Sequence, residues 1–143
     1  GIKLTKIGGQ HGTDKMYSNP KLKAGLGEAM GMVFEANGHE TVYVAGDTIW
    51  RPEVDQAIQS FKPDVIVLNT GNALVNGFNE SIIMGKEDTY RATQKAPNAK
   101  IIAVHMDAIN HMSVTRAQLA EYVKDKGIQD KVLIPIDGET LSF

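Results

Sequence analysis

Five polar residues of this 143-residue chain stand where hydrophobic runs stop. His11 follows "IKLTKIGG", Asp47 follows "VYVAG", Asn69 ends "PDVIVLN", His105 ends "AKIIAVH", and His111 stands just before a helical pattern. Three of the four histidines therefore fall in strand-end loops. Neutral imidazoles and a carboxylate together suit Zn, Mn or Fe, whereas Mg and Ca favour more oxygen donors. The chain has no cysteine, so neither thiolate ligands nor disulfides can contribute. Each residue also has a plain structural use. Asp47 could cap the following turn through its carboxylate, and Asn69 could close a turn with Thr70 and Gly71. His105 and His111 could be hydrogen-bonded structural groups, and His39, beside Asn37-Gly38, reads as solvent-exposed.

Those five residues do chemistry only if the elements beneath them bring them together. Ile2, Leu4 and Ile7 nearly alternate with Lys3, Thr5 and Lys6, as in a half-buried strand stopped by Gly8-Gly9. Residues 10–29 are rich in Gly, Lys and turn formers and read as a long loop. "MGMVFEANGHETVYVAGD" reads as a hairpin around Asn37-Gly38, the preferred pair for a tight two-residue turn. "PEVDQAIQSF" opens on Pro52 and sets Val54, Ala57, Ile58 and Phe61 on one helical face. "PDVIVLN" and "AKIIAVH" are continuous apolar runs, the mark of strands covered on both faces. A short strand is expected at 82–84, then a helix from Lys86 to Lys95, then a second helix in "HMSVTRAQLAEYVKDKG", with Ser113 as N-cap and Gly127 as stop. "KVLIPIDGETLSF" reads as two short strands around Asp137-Gly138.

The pattern is α/β, a mixed sheet with helices packed on it, and in such sheets ligands bind where strand-end loops cluster along one edge. Composition narrows the partners. The chain is 42% hydrophobic with a formal charge of -2, which describes one globular unit, residues 1–143, with material for a core. Its basic residues are dispersed, so no nucleic-acid partner is expected. No apolar run approaches the roughly 20 residues of a membrane span, so no membrane partner is expected and the cytoplasm is the default compartment. A strand pattern begins at Gly1 at once, as expected of a processed or trimmed product. Trp50 reads as a shield for the core edge, Lys86, Glu87 and Asp88 as a solvated first turn, and Arg116 and Glu121 as surface charges.

The succession "QHG", "VYVAGDT", "PDVIVLNTG" and "IIAVHMDAINHMSVTRAQL" resembles the C-terminal half of the metallo-β-lactamase superfamily, in particular bacterial metal-dependent hydrolases related to the ascorbate-6-phosphate lactonase. The likeness covers nearly the whole chain in motif order. It implies half of an αββα sandwich. It also implies that His11 binds a first metal, that Asp47 bridges two metals, and that His105 binds the second. His111 is the rival for that last place; if His105 coordinates, His111 would contact substrate or pass a proton to the leaving group. The implied cofactor is two Zn ions, with Mn or Fe possible.

The family's His-x-His-x-Asp-His signature is missing from these residues, so the N-terminal half of the domain is absent from this chain. The resemblance then implies a hydrolase that attacks an ester, lactone, amide or phosphodiester of a small-molecule substrate with hydroxide generated on the metals, Asp47 and His111 being catalytic. The chain alone is expected to be inactive and to associate, as a homo-oligomer or with its missing half, because large apolar patches rarely stay bare. Loops 12–29 and 70–80 would shape the pocket. A different reading is a non-catalytic half-domain acting as an association module. A third, a phosphate-binding or receiver-like domain, lacks the extra acids beside Asp47 and a Gly-rich phosphate loop. Residues encoded upstream of Gly1 are expected to contain His-x-His-x-Asp-His; sequencing that region and finding no such segment would count against the hydrolase.

Overall fold

The computed structural model describes residues 1–142. Its strands are β1 (Lys3–Gly9), β2 (Ala29–Glu35), β3 (Val42–Val44), β4 (Val65–Asn69), β5 (Lys100–Val104) and β6 (Val132–Leu133), ordered β1-β2-β3-β4-β5-β6 in one sheet. Its helices are α1 (Asp14–Tyr17), α2 (Pro20–Leu26), α3 (Pro52–Phe61), α4 (Lys86–Lys95) and α5 (Arg116–Asp125). β2 is antiparallel to both β1 and β3, while β3 to β6 are mutually parallel. Every strand except β2 therefore points the same way. The chain leaves β1, β3, β4 and β5 at one rim of the sheet.

One face of the sheet carries the main core. Val33, Tyr43, Ile66, Leu68, Ile101 and Ala103 pack with Val54, Ala57 and Ile58 of α3, Ala92 of α4, and Leu119 and Val123 of α5. Each buried Val, Ile or Leu contributes about 1.5–3 kcal/mol relative to exposure, so this layer dominates the stability. The register places Leu4, Met32, Phe34, Val44, Val67 and Ile102 on the opposite face. None of these six is fully buried, and Leu4 is 57% exposed. That face is largely apolar, and among the described residues no helix covers it as α3 to α5 cover the first.

Local signals explain the helix ends. α3 starts on Pro52 with Glu53 and Asp55 in its first turn and stops at Lys62, which is left-handed, before Pro63. α5 begins at Thr115 rather than Ser113: Thr115 Oγ1 accepts from the Gln118 N–H and Gln118 Oε1 accepts from the Thr115 N–H. Gly127 ends it, as expected.

Three other expectations need correction. Residues 10–29 are not one loop, because Thr13 and Asn19 cap α1 and α2 and seat Met16, Leu22 and Leu26 against Ala73, Ile82, Ile83 and Phe78. The hairpin turn is longer than two residues: pairing of β2 with β3 ends at Phe34 and Val42, and a turn closes from the His39 N–H to the Ala36 carbonyl. Residues 82–84 form no strand. Ser81 Oγ donates to the carbonyls of Ala73 and Ile83 and accepts from the Ile83 N–H, which folds the segment back on itself and leaves one bridge, Leu74 to Ser81. After β6, a turn at Asp137-Gly138 is present but no second strand follows among the described residues; the expected segment ends at Phe143, which lies outside them.

Asp55 connects α3, α4 and the loop after β3. Its carboxylate accepts from Trp50 Nε1 and Arg91 Nη2, both at 3.1 Å, and pairs with Lys95. Arg91 also stacks over the Trp50 ring at 4.5 Å. Partial burial disfavours the charged form, but the Trp50 hydrogen bond, Lys95 and Arg91 outweigh it and hold the carboxyl below its usual range. A depressed carboxylate stabilises the fold above the unfolded value of about 4, and this contribution is lost as pH falls through the folded value. Asp55→Asn is therefore expected to lower the urea midpoint at pH 7 and to cost much less at pH 3; an equal cost at both pH values would deny the ionic part of the network.

Candidate metal centre

The site forms where the strands end. At the close of β3 the chain passes Ala45, whose N–H still donates to the Val67 carbonyl, and turns at Gly46 with φ +72°. A side chain at Gly46 would lie 2.6 Å from the Met30 carbonyl oxygen, so only glycine fits there. That turn lifts Asp47 to the rim beside the end of β4. Asn69 Nδ2 donates to Asp47 Oδ1 at 2.6 Å. His105, the first residue past β5, places Nε2 3.8 Å from the same oxygen, with the two side chains 30% and 41% exposed for His105 and Asp47. Asn69 and Val104 are register partners on the uncovered face, so the site borders that face.

The separation of 3.8 Å exceeds a hydrogen bond but suits two donors on one ion. Bonds of about 2.0–2.1 Å at a tetrahedral angle put two ligand atoms about 3.3 Å apart. The pair therefore fits as part of a metal shell. It is not a whole one. Among the described residues, no three His, Asp or Glu side chains are gathered closely enough to hold an ion.

His11 is on the neighbouring loop. The Gln10 N–H donates to Thr48 Oγ1 at 2.9 Å, and the Ile49 N–H donates to the Gln10 carbonyl at 3.0 Å. Asp14 then accepts from Gln10 Nε2 at 2.8 Å and Arg51 Nη1 at 3.0 Å; these bonds, Gln10 first, hold its carboxyl below the usual range. The loop of His11 is thus stitched to the loop of Asp47, although among the described residues the imidazole itself makes no hydrogen bond or ion pair with Asp47 or His105. His111 is exposed, and its carbonyl accepts from the Leu74 N–H. His39 is exposed on the far turn, as expected.

Gly71 shapes the floor of this rim. The Thr70 N–H donates to the Val104 carbonyl at 2.9 Å, and the Gly71 carbonyl accepts from the N–H groups of Ser113 and Val114 at 3.0 Å each. Ser113, expected as a helix cap, instead donates to the Asn72 carbonyl and accepts from Asn72 Nδ2, both at 2.7 Å. A side chain at Gly71 would collide with the His105 carbonyl oxygen and the Met112 sulfur.

The left-handed turn at His105 and Asp107 and the pairing of Arg116 were not legible in the sequence. His105 and Asp107 are left-handed, φ +62° and +60°, a conformation that costs a non-glycine residue on the order of 1–3 kcal/mol unless contacts enforce it. Arg116 is not an ordinary surface charge: it is 24% exposed, ion-paired to Asp107 and Asp137, and donates through Nε to the Pro135 carbonyl. Nothing in the spacing of these residues announces the contact. Asp88, too, is more than a solvated charge, since it accepts from the Gly85 N–H at 3.0 Å, and burial raises its pKa despite that bond.

A six-stranded mixed sheet with helices on one face matches half of the metallo-β-lactamase fold: the chain superposes on the metallo-beta-lactamase fold protein YhfI from Bacillus subtilis at TM-score 0.63 over 96% of this chain and 47% of that one, with 13% identity. The chain is 39% identical over its full 143 residues to the UPF0173 protein YddR of Bacillus subtilis (strain 168), covering 54% of that protein. It superposes with TM-score 0.98 and 48% identity on a possible metal-dependent hydrolase from Veillonella parvula DSM 2008, covering 55% of it. The isothiocyanate hydrolase from Delia radicum gut bacteria superposes with TM-score 0.96 and 46% identity over 56% of its chain. No family model matches the chain. The chain spans about half the length of the curated relatives it matches. Among the described residues, no helix is long and apolar enough to cross a membrane.

Replacing Gly71 by Ala is expected to lower the melting temperature, at an overpacking cost of about 1–3 kcal/mol, and to displace the His105 backbone signals in an amide NMR spectrum. Unchanged His105 signals would mean that the loops yield without moving the site.

Proposed function

We propose that this chain is the C-terminal half of a metal-dependent hydrolase with an αββα sandwich, and that its rim supplies part of a metal centre. The pairing of Asp47 with His105 at 3.8 Å, with Asn69 on the same carboxylate oxygen, carries the reading. The half bearing the His-x-His-x-Asp-His ligands would pack on the apolar face formed by residues such as Met32, Phe34, Val44 and Val67. The remaining ligands would then come from that half, consistent with the coverage of 54–56% in its relatives. Association and hydrolysis are then two aspects of one protein.

Divalent ions there, Zn first among Zn, Mn and Fe, supply a water of lowered pKa and a Lewis acid for the attacked group. The chain's residues do the rest. Asp47 and His105 serve as ligands, and the Asn69 amide, donating to Asp47 Oδ1, fixes the orientation of the carboxylate. His11, on the stitched neighbouring loop, is assigned as a further ligand. His111, exposed on the neighbouring loop, is assigned to meet substrate and return a proton to the leaving group.

The substrate class follows from the chemistry of hydroxide addition at an electrophilic carbon. The similarity to an isothiocyanate hydrolase makes the N=C=S carbon the first choice: water adds there, the proton goes to nitrogen, and the adduct breaks down to an amine and carbonyl sulfide. A lactone or ester carbonyl, in keeping with the narrower resemblance to ascorbate-6-phosphate lactonases, is the second.

Full-length protein loaded with Zn, Mn or Fe is expected to consume an aryl or allyl isothiocyanate, and Asp47→Ala to reduce turnover to background. Asn69→Ala should retain a reduced rate, of the order of 10–100-fold lower. Undiminished turnover in Asp47→Ala would remove the metal role assigned to that residue.

A further inference from the structure

We infer that Asp107 and Arg116 form a clamp that aims the His105 imidazole at Asp47, which makes them positioning residues for the metal centre; the inference rests on the hydrolase reading above. His105 and Asp107 are both left-handed, and Met106 between them is buried at 1% exposure. Two non-glycine residues in that conformation within one short turn require outside contacts to stay there. Asp107 Oδ2 supplies them, accepting from the Arg116 backbone N–H at 3.2 Å and from Arg116 Nη1 at 3.1 Å.

The guanidinium is itself fixed. Its Nε donates to the Pro135 carbonyl at 3.1 Å, and Nη2 pairs with Asp137, so it joins the turn after β5 to the segment leaving β6. The backbone of Arg116 begins α5, which is anchored in the core by Leu119 and Val123. On its other side the His105 peptide is confined by Gly71, where no side chain fits against the His105 carbonyl. The backbone of His105 is therefore held from both sides, and among the described residues its imidazole has no hydrogen-bond partner that could orient it instead. The Cα–Cβ bond from which the imidazole reaches Asp47 is thereby held in place. One carboxylate oxygen that accepts from both a side chain and the first N–H of a helix ties the turn to the helix start through charge-assisted bonds.

The test uses the full-length protein and Co²⁺ alone as probe, followed by visible absorption and by calorimetric titration without substrate. Asp107→Gly removes the clamp while suiting a left-handed backbone, so the protein should remain folded, with a metal-free melting temperature close to the parent. Asp107→Asn keeps an acceptor oxygen for the Arg116 N–H and also tolerates that conformation. The expected result is a Co²⁺ affinity about 10-fold or more weaker with an altered absorption band in Asp107→Gly, and near-parental values in Asp107→Asn. Parental affinity and spectrum in Asp107→Gly would overturn the clamp and leave the hydrolase reading intact. Equal losses in both variants would overturn it as well, because charge and not position would then matter. A parental protein that binds no Co²⁺ would overturn the metal centre and the clamp with it.

Discussion

One reversed strand determines where the polar residues can meet. Because β2 is antiparallel to both of its neighbours, β1 runs with β3, β4 and β5, and the chain leaves all four at the same rim. A β1 parallel to β2 would have carried His11 to the opposite end of the sheet. The rim is then consolidated by backbone and side-chain bonds between loops: Gln10 with Thr48 and Ile49, Asp14 with Arg51, Thr70 with Val104, and Gly71 with Ser113 and Val114. The acid at the tip of β3 belongs there for the same reason. It meets an amide and an imidazole that the neighbouring parallel strands deliver beside it.

The two faces of the sheet obey different rules. One is closed by α3, α4 and α5, whose apolar positions recur at helical spacing and fill a continuous core. The other is equally apolar in type but only half-buried in this chain, and it adjoins the site. The second, smaller cluster around Met16, Ala73, Ile82 and Ile83 lies beneath the rim loops and gives them a packed foundation. Loops that carry functional groups gain precision when their undersides are packed in this way.

Much of this was legible in the residues themselves. Continuous apolar runs marked β4 and β5, Pro52 and the spacing of Val54, Ala57 and Ile58 marked α3, and Gly127 marked the end of α5. The polar residues ending those runs marked the rim. Local competition hid the rest. Gly and Lys between Met16, Leu22 and Leu26 concealed two short helices, and the hydroxyl of Ser81 diverted Ile82 and Ile83 from strand to turn. Thr115 outcompeted Ser113 as a cap because Gln118 could reciprocate. Arg116 and Asp107 could not be paired by eye, since their contact depends on the fold and on left-handed residues that no pattern specifies.

β1 has a further consequence as the outermost strand. Among the described residues its outer backbone groups form no ladder, a template on which a foreign extended segment could add. The strand carries Lys3 and Lys6 along its length and ends in Gly8-Gly9, so charge and loss of side-chain packing make it a poor seed for edge-to-edge aggregation.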